Sequence, residues 1–170
     1  MVGAAAYRFR RNPRDYAVIN YMACQDGFTL NDMVTYNYRH NEANQENNQD
    51  GSSYNYSWNC GVEGKTRKRT VMDRRMTQIR NAFLMLLTSQ GTPMILAGDE
   101  FGNTQMGNNN AYCHDDEVTW LNWNKTKRSE SIFTFVKNMI AMRKSFRVFR
   151  QDHPLQMMDT LSCGMPDLSM

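Results

Sequence analysis

The sequence predicts an α/β fold built around a parallel sheet. Two short runs of apolar and β-branched residues, Ala17–Cys24 and Met94–Ala97, have the composition of strands that are buried on both faces. A polar loop and a stretch with helical periodicity come after each run. This alternation of strand, loop and helix is typical of parallel sheets, but the spacing alone does not separate a barrel from an open sheet.

Three helices are predicted from capping patterns and apolar stripes. Thr29–Asp32 (TLND) and Thr70–Asp73 (TVMD) have the form of a capping box, which places a helix start at each. Gly91 is the expected C-cap of the second helix, and a third helix begins near Ser129. Apolar residues recur at spacings of three and four in both long helices. They are Met72, Met76, Ile79, Phe83 and Leu86 in the second helix and Ile132, Phe135, Val136, Met139 and Phe146 in the third.

Two loops rich in asparagine, Tyr38–Gly64 and Gly107–Cys113, interrupt these elements. Loops as long as the first are more often functional than accidental in a compact domain. Aromatic residues lie in or beside both loops, and flat rings among amide groups suit stacking on sugars. For each ring taken singly, packing that holds the loop in place is the favoured interpretation. The rings are Tyr54, Tyr56, Trp58, Tyr112, Trp120 and Trp123.

The composition excludes several classes of protein. The 170-residue chain is 41% hydrophobic and 22% charged, and its net charge of +3 argues against a protein organised around nucleic acid. No apolar run approaches the roughly 20 residues that a membrane helix needs. The four cysteines include no C-x-x-C pair, so reduced thiols are expected. Walker, dinucleotide-binding and G-x-S-x-G motifs are absent, and neither a cofactor nor a metal is expected.

Two charged segments are assigned no catalytic role. Lys65–Arg69 (KTRKR), with Arg74 and Arg75, straddles a helix start and is interpreted as a solvated face, with binding of an anionic polymer as the alternative. His114–Glu117 (HDDE) is a contiguous acidic segment without the ligand spacing of a cation site.

Carboxylates follow both predicted strands. Asp26 comes after the first strand, and Asp99 and Glu100 come after the second. The carboxyl ends of parallel strands carry the ligand-binding loops, so these acids are site candidates. By position alone, a turn with Gly27 or a cap for the helix near Thr29 explains Asp26 better than catalysis does. Adjacent residues of a strand point apart, so at most one of the other two acids faces a common pocket.

Three long segments resemble the bacterial glycogen-debranching, isoamylase-type enzymes of the α-amylase superfamily. They are DGFTLNDMVTYNYRHNEANQENNQDGSSYNYSWNCGVEG (Asp26–Gly64), LLTSQGTPMILAGDEFGNTQMGNNNAYC (Leu86–Cys113) and VTWLNW (Val118–Trp123). The resemblance extends from about Ala17 to the C-terminus. A match over several long and unusual stretches is far more specific than one short motif.

The resemblance implies the last two β/α units of a (β/α)8, or TIM, barrel. Ala17–Cys24 is similar to the seventh strand of the family and Met94–Ala97 to the eighth. The Asp that closes the seventh strand in this family is a catalytic carboxylate, which stabilises the transition state by binding hydroxyls of the distorted sugar. Asp26 occupies that position, so the resemblance reverses the interpretation from position alone. Asp99 and Glu100 match a G-D-E segment that shapes the site without doing the chemistry.

The chain departs from the family pattern in two respects. The family has His before the catalytic Asp, whereas this chain has Gln25, from which weaker sugar binding is expected. The nucleophile of the family is an Asp in a G-x-R-x-D motif, its acid/base is a Glu, and both lie upstream of the seventh strand. Neither pattern occurs in this chain. Gln25, Asn110 and Tyr112 are the candidate substrate-binding residues.

The resemblance also predicts how the chain is organised. Residues 1–16 are expected to be a lead-in, residues 17–150 a partial catalytic barrel, and residues 151–170 the start of a connection to a C-terminal β-domain. The expected partner is a branched α-glucan such as glycogen or limit dextrin, with neither nucleic acid nor membrane. Open sheet edges favour self-association or pairing with a complementary barrel fragment. The expected location is cytoplasmic. The alternative to a hydrolase fragment is an inactive remnant or a weak glucan-binding module.

Overall fold

The computed structural model describes residues 18–124, 126–151, 159 and 163–166. Two parallel strands, β1 (Ile19–Asn20) and β2 (Thr92–Pro93), pair with Ile19 opposite Thr92. The alternation of strand, loop and helix is confirmed, whereas the predicted lead-in and most of residues 151–170 lie outside the described residues. The α-helices are α1 (Leu30–Met33), α2 (Arg69–Thr88) and α3 (Lys127–Ser145), and short 3-10 helices span Glu42–Asn44, Asp99–Phe101 and Arg147–Arg150.

The strands differ from their predicted form. β1 is much shorter than the run Ala17–Cys24, of which Ala17 lies outside the described residues, and β2 precedes the run Met94–Ala97. The prediction that both faces of β1 are buried is wrong, because Ile19 is 58% exposed while Asn20 is 3% exposed. Among the described residues β1 pairs with β2 alone. A strand with one neighbour and one covered face keeps an open edge and an open face.

Helices α2 and α3 pack against each other and form most of the core. Ile79, Phe83 and Leu87 of α2 are each 1% exposed, and Ile132 and Val136 of α3 are at most 2% exposed. The predicted stripes are therefore confirmed in their central turns. Phe146, by contrast, is 56% exposed because α3 ends at Ser145. None of the helices in the described ranges is long and apolar enough to cross a membrane.

All three predicted helix starts lie within two residues of the observed ones. Thr29 caps α1, since its Oγ1 accepts a hydrogen bond from the Asp32 amide at 3.1 Å. Helix α3 begins within a capping box between Thr126 and Ser129. The capping box predicted at Thr70 is wrong, because Lys68 is the N-cap residue of α2 and makes no side-chain capping bond.

Gly91 has a different role from the predicted C-cap. Helix α2 ends at Thr88, and Ser89 occupies the C-cap position in an extended conformation. Gly91 has φ +96° and lies beside β1, where a Cβ atom would come 2.8 Å from the Val18 carbonyl oxygen. The chain therefore needs glycine where the segment leading into β2 approaches β1.

Two buried arginines fasten the helices to neighbouring loops. The Arg75 guanidinium donates hydrogen bonds to the carbonyl oxygens of Thr35, Asn59 and Val62, and the residue is 2% exposed. The solvated-face interpretation of the basic run is thus wrong for Arg75. Arg143 of α3 donates in the same way to carbonyl oxygens at the end of α2 and before β2, those of Leu87, Ser89 and Gly91.

Candidate active site

Asp26 lies on the surface, in the turn that follows β1. The residue is exposed, and its backbone carbonyl accepts a hydrogen bond from the Cys24 thiol at 3.3 Å. Gly27 donates its amide to the Asn109 carbonyl at 3.0 Å, which places Asp26 beside the second asparagine-rich loop. Thr29, and not Asp26, caps α1. Among the described contacts the Asp26 carboxylate makes no hydrogen bond. It therefore neither caps α1 nor stabilises the turn with Gly27 through its side chain.

A pair of buried asparagines joins the two asparagine-rich loops. Asn41 is 0% exposed and Asn109 is 3% exposed. The Asn41 Nδ2 donates to Asn109 Oδ1 at 2.8 Å, and the Asn109 amide donates to Asn41 Oδ1 at 3.0 Å. Asn109 Nδ2 also donates to Asn55 Oδ1 at 2.6 Å. Gly51 has φ +72° at this junction, and a Cβ there would come 2.3 Å from Asn109 Oδ1.

A second group of polar side chains extends this junction toward Asn110. Asn44 donates to Asp50 Oδ2 at 2.6 Å, and Asn110 donates to the same oxygen at 2.9 Å. Asn108 donates to Asn44 Oδ1 at 2.6 Å. The hydrogen bond from Asn44 is the main cause that lowers the pKa of Asp50 below its ordinary value. A charged Asp50 therefore holds both loops through their amide groups.

The predicted substrate-binding residues lie on both sides of this junction. Gln25 is exposed next to Asp26, and Tyr112 is 69% exposed. Asn110 is half-buried, and its amide side chain is fixed by Asp50. The bond from Gly27 to Asn109 brings the turn that carries Gln25 and Asp26 to the loop that carries Asn110 and Tyr112. Sequence reasoning missed Asn41, Asn44 and Asn109, although the repeated asparagines of the two loops were the available signal.

Two other carboxylates are buried structural ties. Asp99 is 3% exposed and its Oδ1 accepts the Leu30 amide at 2.9 Å. Asp32 is 0% exposed and accepts hydrogen bonds from Thr104 Oγ1 and from the Gln105 amide. Both carboxylates thus connect α1 to the segment after β2. Asp99 and Glu100 lie in a 3-10 helix and not in a strand. The prediction that they point to opposite faces of a strand therefore does not apply.

The burial of Asp99 predicts an unusual dependence of stability on pH. Burial is the main cause that raises the pKa of Asp99 to about 7, from an ordinary value of 3.8. Between pH 4 and 7 the folded state holds a proton that the unfolded state releases. The free energy of unfolding should therefore fall as the pH rises through this window, by up to about 4 kcal/mol. Urea unfolding at pH 5 and at pH 7.5 should show about 2.5 kcal/mol of this change, because the two pH values span only part of the window.

The matched control for this prediction is Asp99→Asn, which keeps an oxygen for the Leu30 amide and cannot ionise. Burial also raises the pKa of Asp32, so some pH dependence of the same sign should remain in the variant. The lowered pKa values of Asp50 and Glu63 change the free energy of unfolding only below about pH 5, and with the opposite sign. Equal slopes in the wild-type chain and the variant would contradict the assignment to Asp99.

The aromatic residues of the loops divide into two groups. Trp58 packs against the Arg74 guanidinium, and Trp123 packs against Phe101 with ring centroids 5.2 Å apart. Each of these two rings has a packing contact, although Trp58 is 49% exposed and Trp123 is 73% exposed. Tyr54 and Tyr56 contact each other but are 67% and 82% exposed, as is Tyr112 at 69%. Packing does not account for these three tyrosines, which present their rings to solvent.

The remaining sequence candidates have structural contacts. His114 lies between Asn44 Oδ1, at 2.7 Å from its Nε2, and Asp116 Oδ2, at 3.2 Å from its Nδ1. In the part of the chain that the structure describes, no three His, Cys, Asp or Glu side chains are grouped to hold a metal. All four cysteines are free thiols: Cys24, Cys60, Cys113 and Cys163.

Comparisons with known proteins give a consistent set of relatives. No family model matches the chain. The chain is 51% identical over 138 residues to a "Glycogen operon protein GlgX homolog" of Mycobacterium bovis, and covers 19% of that protein. It is 42% identical over 160 residues to "Isoamylase 3, chloroplastic" of Oryza sativa, and covers 20% of it.

A solved structure agrees with these relatives. The pullulanase from Paenibacillus barengoltzii, in a complex with maltohexaose and α-cyclodextrin, matches with a TM-score of 0.54 and 27% identity. The match covers 78% of this chain and 16% of the pullulanase. The chain thus spans about a fifth of the length of the curated relatives that it matches.

Proposed function

The chain is a homologue of the isoamylase-type glycogen-debranching enzymes of the α-amylase superfamily, and we propose that it supplies one catalytic carboxylate of an α-1,6-glucan hydrolase. The proposed substrates are glycogen and related branched α-glucans. The observation that carries the proposal is Asp26, an exposed carboxylate without a structural partner among the described contacts, next to a loop junction built by buried asparagines.

In this proposal β1 and β2 are the seventh and eighth strands of a (β/α)8 barrel. Their parallel pairing, with a long loop and a helix after each strand, supports this order. Both functional loops then lie at the carboxyl ends of the strands, where barrel enzymes have their active sites. The exposed Ile19 of β1 agrees with a strand whose other neighbours come from outside these residues.

The proposed mechanism is hydrolysis with retention of configuration. Such a mechanism needs one carboxylate that attacks and one carboxylic acid that protonates the leaving oxygen, about 5–5.5 Å apart. We assign both roles to residues outside this chain, because it has no G-x-R-x-D motif. Asp26 accepts hydrogen bonds from sugar hydroxyls, and these bonds strengthen as the ring distorts and positive charge develops.

Three neighbouring residues are proposed to bind the glucan. Gln25 donates a hydrogen bond to the sugar next to the scissile bond but carries no charge. Asn110 is held through its Nδ2 by Asp50, which leaves its Oδ1 to accept from a hydroxyl. The exposed Tyr112 ring provides a face for stacking on a sugar.

An apolar groove beside β2 indicates that further protein packs against this surface of the chain. Ile95 and Ala97 line it from the segment after β2, and Phe133, Val136 and Ile140 line it from α3. Phe133 is 51% exposed. We propose that the remaining elements of the barrel, or a second copy of the chain, cover this groove, since exposed apolar surface favours association. A cytoplasmic location, in keeping with the four free thiols, stays a prediction.

The isolated 170-residue chain is expected to release no reducing ends from a branched limit dextrin above a buffer control, since one catalytic carboxylate cannot both attack and protonate. A reducing-sugar assay measures this. Turnover by the purified chain alone would contradict the assignment of the nucleophile and the acid to other residues.

The alternative function is a glucan-binding module without catalysis. The exposed rings of Tyr54, Tyr56 and Tyr112 favour it, because such rings can stack on sugars without any catalytic residue. The two functions separate in an enzyme that contains this segment, since only the hydrolase loses turnover when Asp26 is changed.

A further inference from the structure

A cavity of about 660 Å3 lies between the N-terminal ends of the two long helices. One wall comes from Lys65 and Arg67, which precede α2, together with Arg75 of α2. The start of α3 also lines the cavity, through Thr126, Arg128 and Ser129. The volume lies within the range of small-molecule sites, about 300–1,000 Å3. Every wall belongs to elements of this chain that pack against each other, so the cavity does not depend on the proposed barrel.

The charge of the cavity is entirely positive. Four cationic side chains line it, those of Lys65, Arg67, Arg75 and Arg128, and none of the described lining residues is an Asp or a Glu. Two acids act on Tyr36, which also lines the cavity, but both are already engaged. Asp32 accepts from Thr104 and Gln105, and Glu63 accepts from the backbone amides of Asn37 and Tyr38. An arrangement of cations without counter-charges favours an anion from outside the chain.

Arg75 and Arg128 both line the cavity, and the charge of Arg75 acts on Arg128. Burial lowers the pKa of the Arg128 guanidinium, and the positive charge of Arg75 lowers it further. Arg128 donates from Nη2 to Asn31 Oδ1 at 3.0 Å and from Nε to Met76 Sδ at 3.3 Å, and Arg75 donates to backbone carbonyls. Neither arginine has a carboxylate partner among the described ion pairs. A bound anion would relieve this repulsion, and guanidinium groups bind phosphate through paired, charge-assisted hydrogen bonds.

The helices and the apolar residues of the cavity narrow the choice of ligand. The 20-residue α2 and the 19-residue α3 both begin at its edge, and their positive ends add to the field of the arginines. Tyr36, Met72 and Phe101 give it an apolar side. A cluster of cations beside an apolar wall suits a ligand with a dianionic group and a small organic part.

We propose that this cavity binds a small phosphate monoester, with Arg67 and Arg128 as the principal phosphate ligands. The phosphate can belong to a phosphorylated sugar or be free inorganic phosphate, and the chemistry of recognition is the same. The basic segment before α2 opposes the helix dipole and gives α2 no capping bond. Binding of the phosphate group would give this segment a function. Neither Asp26 nor the two asparagine-rich loops take part.

Calorimetric titration of the full chain tests this site with three probes: glucose 6-phosphate, inorganic phosphate and glucose. Saturable binding of glucose 6-phosphate that weakens at high salt is expected, with no binding of glucose. Equal affinity for inorganic phosphate would also support the site and would assign recognition to the phosphate group alone. Absence of saturable binding by both phosphate probes would overturn the proposal, as would tighter binding of a short oligonucleotide.

Matched variants separate the cavity from general attraction by positive charge. Arg67→Gln and Arg128→Gln should each raise the dissociation constant about tenfold, because each removes a charge-assisted hydrogen bond. Arg69→Gln removes the same charge two residues away, from a side chain that does not line the cavity and is 94% exposed. A change of less than about twofold is expected for it. Equal weakening by Arg67→Gln and Arg69→Gln would overturn the proposal.

Discussion

Asp26→Asn is expected to lower kcat about a thousandfold in an enzyme that contains this segment, because the amide cannot supply the negative charge that stabilises the transition state. The test uses a hybrid in which this chain replaces the homologous segment of the Mycobacterium bovis relative, which is 51% identical over 138 residues. KM should change much less than kcat, since the charge matters most in the transition state. Initial rates on a branched limit dextrin give both constants.

The control for Asp26→Asn is Asp73→Asn. Asp73 is an exposed aspartate of α2 whose ion pair with Arg69 is long, at 3.8 Å, so its loss should leave kcat unchanged. Both variants remove one negative charge and should keep the fold of the hybrid. A kcat of the Asp26→Asn hybrid within tenfold of the unmodified hybrid would contradict the catalytic assignment.

Arg75→Met is expected to give the largest loss of stability, about 3 kcal/mol or more in the free energy of unfolding. The substitution keeps much of the apolar stem but leaves the carbonyl oxygens of Thr35, Asn59 and Val62 without their donor. Arg75 is 2% exposed, so water does not readily replace the lost hydrogen bonds. Urea denaturation of the full chain, followed by far-ultraviolet circular dichroism, measures the change.

Arg69→Met is the matched control for this stability prediction. Arg69 belongs to the same helix, six residues earlier, and its side chain is 94% exposed. Its substitution should change the free energy of unfolding by less than about 0.5 kcal/mol. An Arg75→Met chain with the same urea midpoint as the Arg69→Met chain would show that the carbonyl contacts add nothing to stability.

Local sequence patterns predicted the elements whose stability is local. The cap at Thr29 and the central stripes of α2 and α3 were predictable because capping bonds and apolar periodicity depend on residues a few positions apart. The N-cap of α2 was not, since the Thr70 pattern matches a capping box while the N-cap residue is Lys68. The hydrogen bonds from Arg75 to distant carbonyl oxygens hold α2 against the neighbouring loop, and no side-chain cap contributes.

The site depended on contacts between residues far apart in the sequence. No local pattern indicates that Asn41 pairs with Asn109, or that Asp99 ties the segment after β2 to α1. Position alone also favoured a structural role for Asp26, and only the resemblance to glycogen-debranching enzymes pointed to catalysis. The structure excludes a capping role for Asp26, because Thr29 is the N-cap residue of α1.

The most direct measurement of the central claim is proton NMR of a branched limit dextrin treated with the unmodified hybrid. If this segment supplies the catalytic carboxylate of a debranching hydrolase, the signal of the α-1,6 linkages should disappear while that of the α-1,4 linkages persists. A folded hybrid that leaves the α-1,6 signal unchanged, or that cleaves the α-1,4 linkages instead, would contradict it.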